Sequence, residues 1–409
     1  MKGCGMVIRN NCYNNYDSIA IPHFILGGIK MSIYLDASAT TKPKQEVIKA
    51  MMPYLIDQWY NPSALYSKSS KIKEDIERAR NTIGDFINAD GKEIYFTSGG
   101  SEGNCWAIQG FINRCNRKGK EATIITSTIE HKSIMSCVEN MNADIHYVGV
   151  DKQGFVDIIA LESLIHDAYL EANEILVSIQ FANNEIGTIQ NIKMIAELAH
   201  KYNAIFHTDA VQAFGHIQID VEDLGIDLLS ASGHKVGCPK GCGFLYIKNG
   251  VQIDPLIYGS QMDSMRGGTE NVPFIIGMAK AIDLINNDQM CNFKTTILRN
   301  NFISELKAIG CTLNGSFENR LPNNINVTFN QNVTGESLIY MLDMSDIMVS
   351  SGSACNSHST DVSYVLKAIG LSDAEAMRTL RITLPDNITG DDLDNVICEI
   401  KKQITLLTI

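Results

Sequence analysis

The sequence predicts an α/β fold built on a mainly parallel sheet, because short apolar runs alternate with longer amphipathic stretches from residue 33 onward. Strand-like runs fall at 93–97, 122–126, 175–180 and 204–208, and helix-like stretches at 70–87 and 192–202. A second observation agrees: the segments with unusual chemistry each follow a strand-like run, and in open α/β sheets ligands bind outside the carboxyl ends of the strands. A third is size, since 409 residues, 45% of them hydrophobic, allow two or three domains of about 100 to 200 residues each.

The first thirty residues read as an extension, with Met31 expected to be the true start. Their polar, Asn-rich opening and an apolar run at 19–29 broken by Pro22 and His23 lack the small-x-small site of a secretory signal. No apolar run approaches the ~20 residues needed to span a bilayer, so no membrane partner is expected. A net charge of −12 argues against direct binding of nucleic acid, which needs a basic surface. The eleven cysteines are odd in number and show no repeated framework, which reads as reduced thiols in a cytoplasmic protein. Cys238 and Cys242 lack a second ligand pair at metal spacing. Small-residue packing near a cofactor loop is the reading preferred for them, and no resident metal is expected.

Thr97-Ser-Gly-Gly-Ser-Glu-Gly-Asn104, leading into helix-like 105–114, has the makings of an anion site. Glycines let the backbone approach, hydroxyls donate and a new helix aims free N–H groups outward, which nominates Gly100 and Ser101. Alone, such a turn is more often only a turn. His131, after Ser127-Thr-Ile-Glu130, could stack on a planar ring, although a lone histidine is more often a satisfied core residue. Asp209, closing the run at 204–208, could pair with a protonated pyridine nitrogen or simply cap a helix. Ser230-Ala-Ser-Gly-His-Lys235 sets a lysine among small residues after apolar 226–229, where it can form an imine with an aldehyde cofactor. Ser350-Ser-Gly-Ser-Ala-Cys355 sets a thiol in a Ser/Gly-rich loop, although free cysteines are mostly buried small hydrophobes. Together with Gln212 these features suggest a pyridoxal 5′-phosphate (PLP) enzyme that draws sulfur from an amino acid.

From about residue 33 to about residue 400 the chain resembles the cysteine desulfurases of the NifS/IscS-like group, within the class V, fold-type I PLP enzymes. The matching motifs are Tyr34-Leu-Asp36 with Ala39-Thr-Thr41, Asn61-Pro-Ser63, Thr97-Ser-Gly99, Glu130-His-Lys132, Asn183-Asn-Glu-Ile-Gly187 with Gln190, Asp209-Ala-Val-Gln212, Ser232-Gly-His-Lys235, Pro239-Lys-Gly241, Arg266-Gly-Gly-Thr-Glu-Asn271 and Ser350-Ser-Gly-Ser-Ala-Cys355. So many matches in order make the resemblance specific.

The resemblance implies a large PLP domain with a seven-stranded, mainly parallel sheet at 46–271. It also implies a smaller α+β domain at 272–409, joined by the segment 31–45 and carrying the cysteine loop. Lys235 would hold PLP in imine linkage, Asp209 would pair with its pyridine nitrogen, and His131 would stack on the ring. Asn183 and Gln212 would bond the phenolic oxygen region, with Asn183 also facing substrate. Gly100, Ser101, Ser232 and His234 would bind the phosphate, with Thr269 supplied by the other subunit of a homodimer. Arg381 would hold the carboxylate of L-cysteine, a task suited to a planar bidentate donor.

In that chemistry Lys235 moves the substrate's α-proton and Cys355 receives its sulfur as a persulfide, leaving L-alanine. The sulfur would pass to an acceptor such as an iron-sulfur scaffold or a tRNA-thiolation enzyme, and Cys355 could serve as a transient iron-sulfur ligand. A selenocysteine lyase, a class V aminotransferase or a catalytically weakened sulfur carrier would share much of this site. The chain also departs from the family pattern. Asp36-Ala-Ser-Ala-Thr40 stands for Asp-Asn-Ala-Ala-Thr, Thr383-Leu-Pro385 for Ser-x-Gly after the arginine, and Cys238 for a glycine.

Overall fold

The computed structural model describes residues 32–286, 291–351 and 362–407. Its strands are β1 (Ile33–Tyr34), β2 (Ile94–Thr97), β3 (Ala122–Ser127), β4 (Asp144–Val148), β5 (Glu174–Ser178), β6 (Ile205–Asp209), β7 (Leu228–Ser232), β8 (Gly243–Ile247), β9 (Cys311–Leu313), β10 (Asn324–Phe329), β11 (Ile347–Met348) and β12 (Thr379–Thr383). Its helices are α1 (Gln45–Ile56), α2 (Ser67–Phe86), α3 (Gly100–Arg117), α4 (Lys132–Glu139), α5 (Ile158–Leu170), α6 (Ile192–Lys201), α7 (Val272–Asn286), α8 (Cys291–Ala308), α9 (Gly335–Asp343), α10 (Tyr364–Ala368), α11 (Asp373–Ala376) and α12 (Gly390–Leu407).

Seven strands form the central sheet in the order β2-β8-β7-β6-β5-β3-β4. The run from β7 to β4 is parallel, and β8 is antiparallel to both its neighbours, β7 and β2. The mainly parallel sheet expected from the alternating pattern is therefore present. Successive side chains alternate between two cores, as the period of a strand dictates. Leu176, Leu228 and Leu245 pack under α3 and α4 with Trp106 and Phe111, while Val177, Leu229 and Phe244 face the opposite core with Ile83 and Phe214. Strands buried on both faces carry near-continuous apolar runs, which is why they were readable.

A second core surrounds the antiparallel sheet β12-β10-β9, with Leu35, Phe329, Leu380 and Val396 buried together. The short β1 joins it by pairing in parallel with β11, Ile33 opposite Ile347. The expected boundary at residue 271 falls just before α7, yet Val272, Ile275 and Met278 of α7 are buried in the large core beside Val47 and Met51 of α1. A small cluster links the two parts: Ile129 and Ile186, from loops beyond β3 and β5, pack on Val365, Leu366 and Ile369. Among the described residues, no helix is long and apolar enough to cross a membrane.

Candidate active site

A cavity lies at the carboxyl ends of β3, β5, β6 and β7, where the crossover loops of a parallel sheet converge. Its wall brings together Gly100, Ser101, His131, Asp209, Gln212, Ser232, His234, Lys235 and Arg381, the first and last of them 281 positions apart in the chain. Helix α3 starts at Gly100 rather than at 105, so Gly100 and Ser101 form its first turn and direct unbonded backbone N–H groups and the positive end of the helix dipole at the cavity. Gly100 has little room for a side chain, since a Cβ there would meet Val211 Cγ2 at 2.4 Å.

Asp209 is almost fully buried at the end of β6. It accepts from Asn104 Nδ2 of α3 at 2.7 Å and from the Val211 N–H of its own loop at 2.9 Å, rather than capping a helix. His131 caps α4 by accepting from the Ser133 N–H through Nδ1, which fixes the ring against the cavity. Lys235, in the turn after β7, donates from Nζ to the carbonyls of Ser38 at 2.5 Å and Ala39 at 2.8 Å. Gln212 Nε2 also donates to Ser38 O, at 3.1 Å. Burial, reinforced by Lys235 and Lys240, pushes the His234 imidazole down to about 4, so it is neutral at pH 7.

Arg381, in β12, is buried and reaches across from the second core. Nη2 donates to Asp36 Oδ1 at 2.8 Å and Ser350 Oγ at 3.2 Å, and Nη1 donates to Asn184 O at 3.3 Å. Its Nε–H is buried and has no acceptor among the described residues. The two segments that depart from the family pattern touch each other here: Thr383 Oγ1 donates to Ser38 Oγ at 3.0 Å. Cys238 lies in the core with its Cβ 3.0 Å from where a Cβ on Gly233 would be, and burial pushes its thiol up to about 12. Cys242 is buried with it, against Met278.

Asn183 is not on the cavity wall; Asn184 is. The Asn183 amide is taken up by its own turn, accepting from the Glu185 and Ile186 N–H groups at 2.8 and 2.9 Å and donating to Ile129 O at 2.9 Å. The turn closes at Gly187, with φ +74°, where a Cβ would meet Asn324 Oδ1 at 2.4 Å. With two consecutive asparagines, the pattern of residues could not say which one faces inward. Ser38, Ala39 and Asn104 were also missed. Asn104 had a signal, lying four residues and about one helical turn after Gly100.

Thr269 is exposed and outside the cavity wall. Cys355 lies outside the described residues, but both flanks of its segment are tied to the site. Ser350 exchanges backbone hydrogen bonds with Arg381, at 3.1 and 2.6 Å. Ser363 Oγ donates to the buried Glu185 carboxylate at 2.6 Å. Burial raises Glu185 to about 7, and it raises Glu130, which accepts from the Gln180 N–H and Ser127 Oγ, to about 8.

The donor set fits a phosphorylated pyridine aldehyde. A helix N-terminus with Ser101, Ser232 and neutral His234 is suited to a phosphate, a buried carboxylate to a protonated ring nitrogen, and a lysine amine on the cavity wall to the aldehyde.

Comparison with known proteins agrees with this chemistry. The Aminotransferase class-V family matches residues 33–396. The chain is 45% identical over 372 residues to a cysteine desulfurase IscS of Methanosarcina thermophila, covering 90% of each chain. It is 44% identical over 374 residues to the IscS of Dictyoglomus turgidum, covering 90% of this chain and 93% of that one. Among solved structures, a NifS-like protein from Rickettsia africae superimposes with a TM-score of 0.82 at 32% identity, over 92% of this chain and all of that one. SspA in complex with cysteine superimposes with a TM-score of 0.75 at 35% identity, over 88% of this chain and all of that one. The chain belongs to the class-V aminotransferase family, within its cysteine desulfurases.

Proposed function

We propose that this protein is a PLP-dependent cysteine desulfurase, converting L-cysteine to L-alanine and carrying the sulfur on Cys355. The observation that carries the reading is the convergence of Lys235, Asp209 and Arg381 on one cavity from three distant parts of the chain. When bound, the cofactor supplies an electron sink conjugated to the substrate's α-carbon. Asp209 would pair with the protonated ring nitrogen, and Asn104 keeps the Asp209 carboxylate oriented. Asn184 and Gln212, both on the cavity wall, would offer amides to the ring's oxygen.

Arg381 offers its unpaired Nε–H to the substrate carboxylate. Lys235 would hold the cofactor through Nζ, and the same amine, once free, would take the α-proton as a base and return it as an acid. The Cys355 thiolate then attacks the substrate sulfur. The S–S bond forms as the C–S bond breaks, the carbon keeps the electron pair and takes a proton, and alanine leaves. Alanine and sulfide production from L-cysteine with dithiothreitol tests the reading directly. The parent should make both, while Cys355→Ala, still yellow with PLP, should make neither. A parent that binds PLP and makes neither product would defeat desulfuration and leave a sulfur-carrier role.

The sulfur acceptor, an iron-sulfur scaffold or a tRNA-thiolation enzyme, would meet Cys355 in the cytoplasm, where the described cysteines, all free, stay reduced. The protein would work as a homodimer. Trp59, Tyr60 and Tyr66 form a ring cluster in which Trp59 and Tyr66 are exposed, and exposed aromatic groups of this kind mark interfaces. Thr269, exposed and away from its own cavity, would complete the partner's phosphate site. Sedimentation at micromolar concentration should give twice the chain mass, and a monomer would rule this out.

A further inference from the structure

Ser133 stands between two groups that the proposed reaction needs. It lies in the first turn of α4 and lines the cavity with Asn104 and His131. Asn104 Nδ2, which can only donate, gives one hydrogen to Asp209 Oδ2 at 2.7 Å and the other to Ser133 Oγ at 2.9 Å. Ser133 Oγ in turn lies 2.8 Å from His131 Nδ1. The Ser133 backbone N–H points at the same ring nitrogen, at 3.1 Å, and a backbone amide also only donates. Nδ1 therefore presents a lone pair, the proton of the neutral ring sits on Nε2, and the Ser133 hydroxyl hydrogen turns to Nδ1. The direction of every bond from Asp209 to His131 is fixed in this way.

We propose that Ser133 is a positioning residue for the reaction, its hydroxyl holding His131 as the neutral, Nε2-protonated tautomer and tying that ring to the Asn104–Asp209 pair. The inference rests on the proposed PLP site, in which His131 would stack on the cofactor ring. A proton on Nδ1 would face the Ser133 N–H and would turn the hydroxyl hydrogen away from the ring. That hydrogen has no second place to go, because the partners of Oγ among the described residues are Asn104, which donates to it, and His131. An uncharged imidazole suits a face stacked on a ring whose nitrogen carries a proton, since neighbouring like charges disfavour one another.

Other groups act on the same ring. Glu130 and Lys132 flank His131 in the chain, Glu185 from the turn after β5 interacts with it, and Asp209, His234, Lys235 and Arg381 share its cavity. Replacing a hydroxyl changes none of these charges. A shift in the titration of His131 in Ser133→Ala therefore reports the lost hydrogen bond. Alanine is also well tolerated in a helix, so α4 should form as before.

The PLP-loaded protein, labelled with nitrogen-15 in its histidines, is titrated by NMR from about pH 5 to about pH 9, with His131 assigned as the ring signal that His131→Gln lacks. In the parent the ring is expected to be neutral at about pH 7 with its proton on Nε2. In Ser133→Ala the pH at which Nδ1 gains a proton should rise by about 0.4 to 1 unit, the worth of one hydrogen bond. The absorbance of the bound PLP should follow the same shift. Ser133→Thr, which keeps the hydroxyl, should titrate as the parent does. The proposal is overturned if the parent ring carries its proton on Nδ1 at neutral pH, or if Ser133→Ala and the parent show the same protonation of His131 at every pH. Neither outcome depends on alanine production, so a failure here and a failure of the desulfurase reading are told apart.

Discussion

Replacing Lys235 with alanine is expected to lower alanine formation from L-cysteine by about 10³-fold or more, within the range for loss of a positioned acid-base group. That loss corresponds to about 4 kcal/mol of barrier. The amine reaches into the cavity from the turn after β7, held by the carbonyls of Ser38 and Ala39. Among the described residues, nothing else on the cavity wall offers a primary amine. Folding should survive, because Gln212 still donates to Ser38 O and the side chain is not part of either large hydrophobic core. Arginine at the same position should be equally inactive, since a guanidinium stays protonated and cannot serve as the base. The variants should release PLP on gel filtration while keeping the parent's far-ultraviolet dichroism. Parental turnover by Lys235→Ala would remove the lysine from the mechanism.

How much of this was legible follows from the physics of each element. Strands β3, β5 and β6 are buried on both faces, and their apolar runs showed plainly in the sequence. β4 was not read because it lies at the sheet edge, with Asp144 and Tyr147 exposed and only Val148 buried. The antiparallel insertion of β8 between β2 and β7 follows from long-range pairing, which no local pattern carries. The site residues that follow strands came through, because a parallel sheet gathers those positions at one end. Choosing between Asn183 and Asn184 needed the turn geometry, in which the Asn183 amide satisfies backbone donors while Asn184 lines the cavity. The two departures from the family pattern read as separate losses in the sequence. In the fold Ser38 and Thr383, 345 residues apart, share a hydrogen bond, so the two departures meet at one place.

That pairing bears on the arginine between them. Arg381→Lys is expected to raise KM for L-cysteine by about 10- to 100-fold with a smaller change in kcat, as loss of one charge-assisted hydrogen bond of about 1.5–3 kcal/mol would produce. Lysine keeps the charge near Asp36, so the variant should fold. It cannot keep the arrangement, because Arg381 holds Asp36, Ser350 and Asn184 with its two Nη groups while leaving Nε–H for an incoming carboxylate. A compact ammonium has no second planar edge with which to do both. Steady-state kinetics with L-cysteine measure the change, and cysteamine, which lacks the carboxylate, supplies the control. If Arg381 acts on the carboxylate, kcat/KM for cysteamine should be nearly the same in parent and variant, while that for cysteine falls. An equal fall for both would mean that the substitution disturbs the cavity in general, and an unchanged KM for cysteine would show that the carboxylate is bound elsewhere.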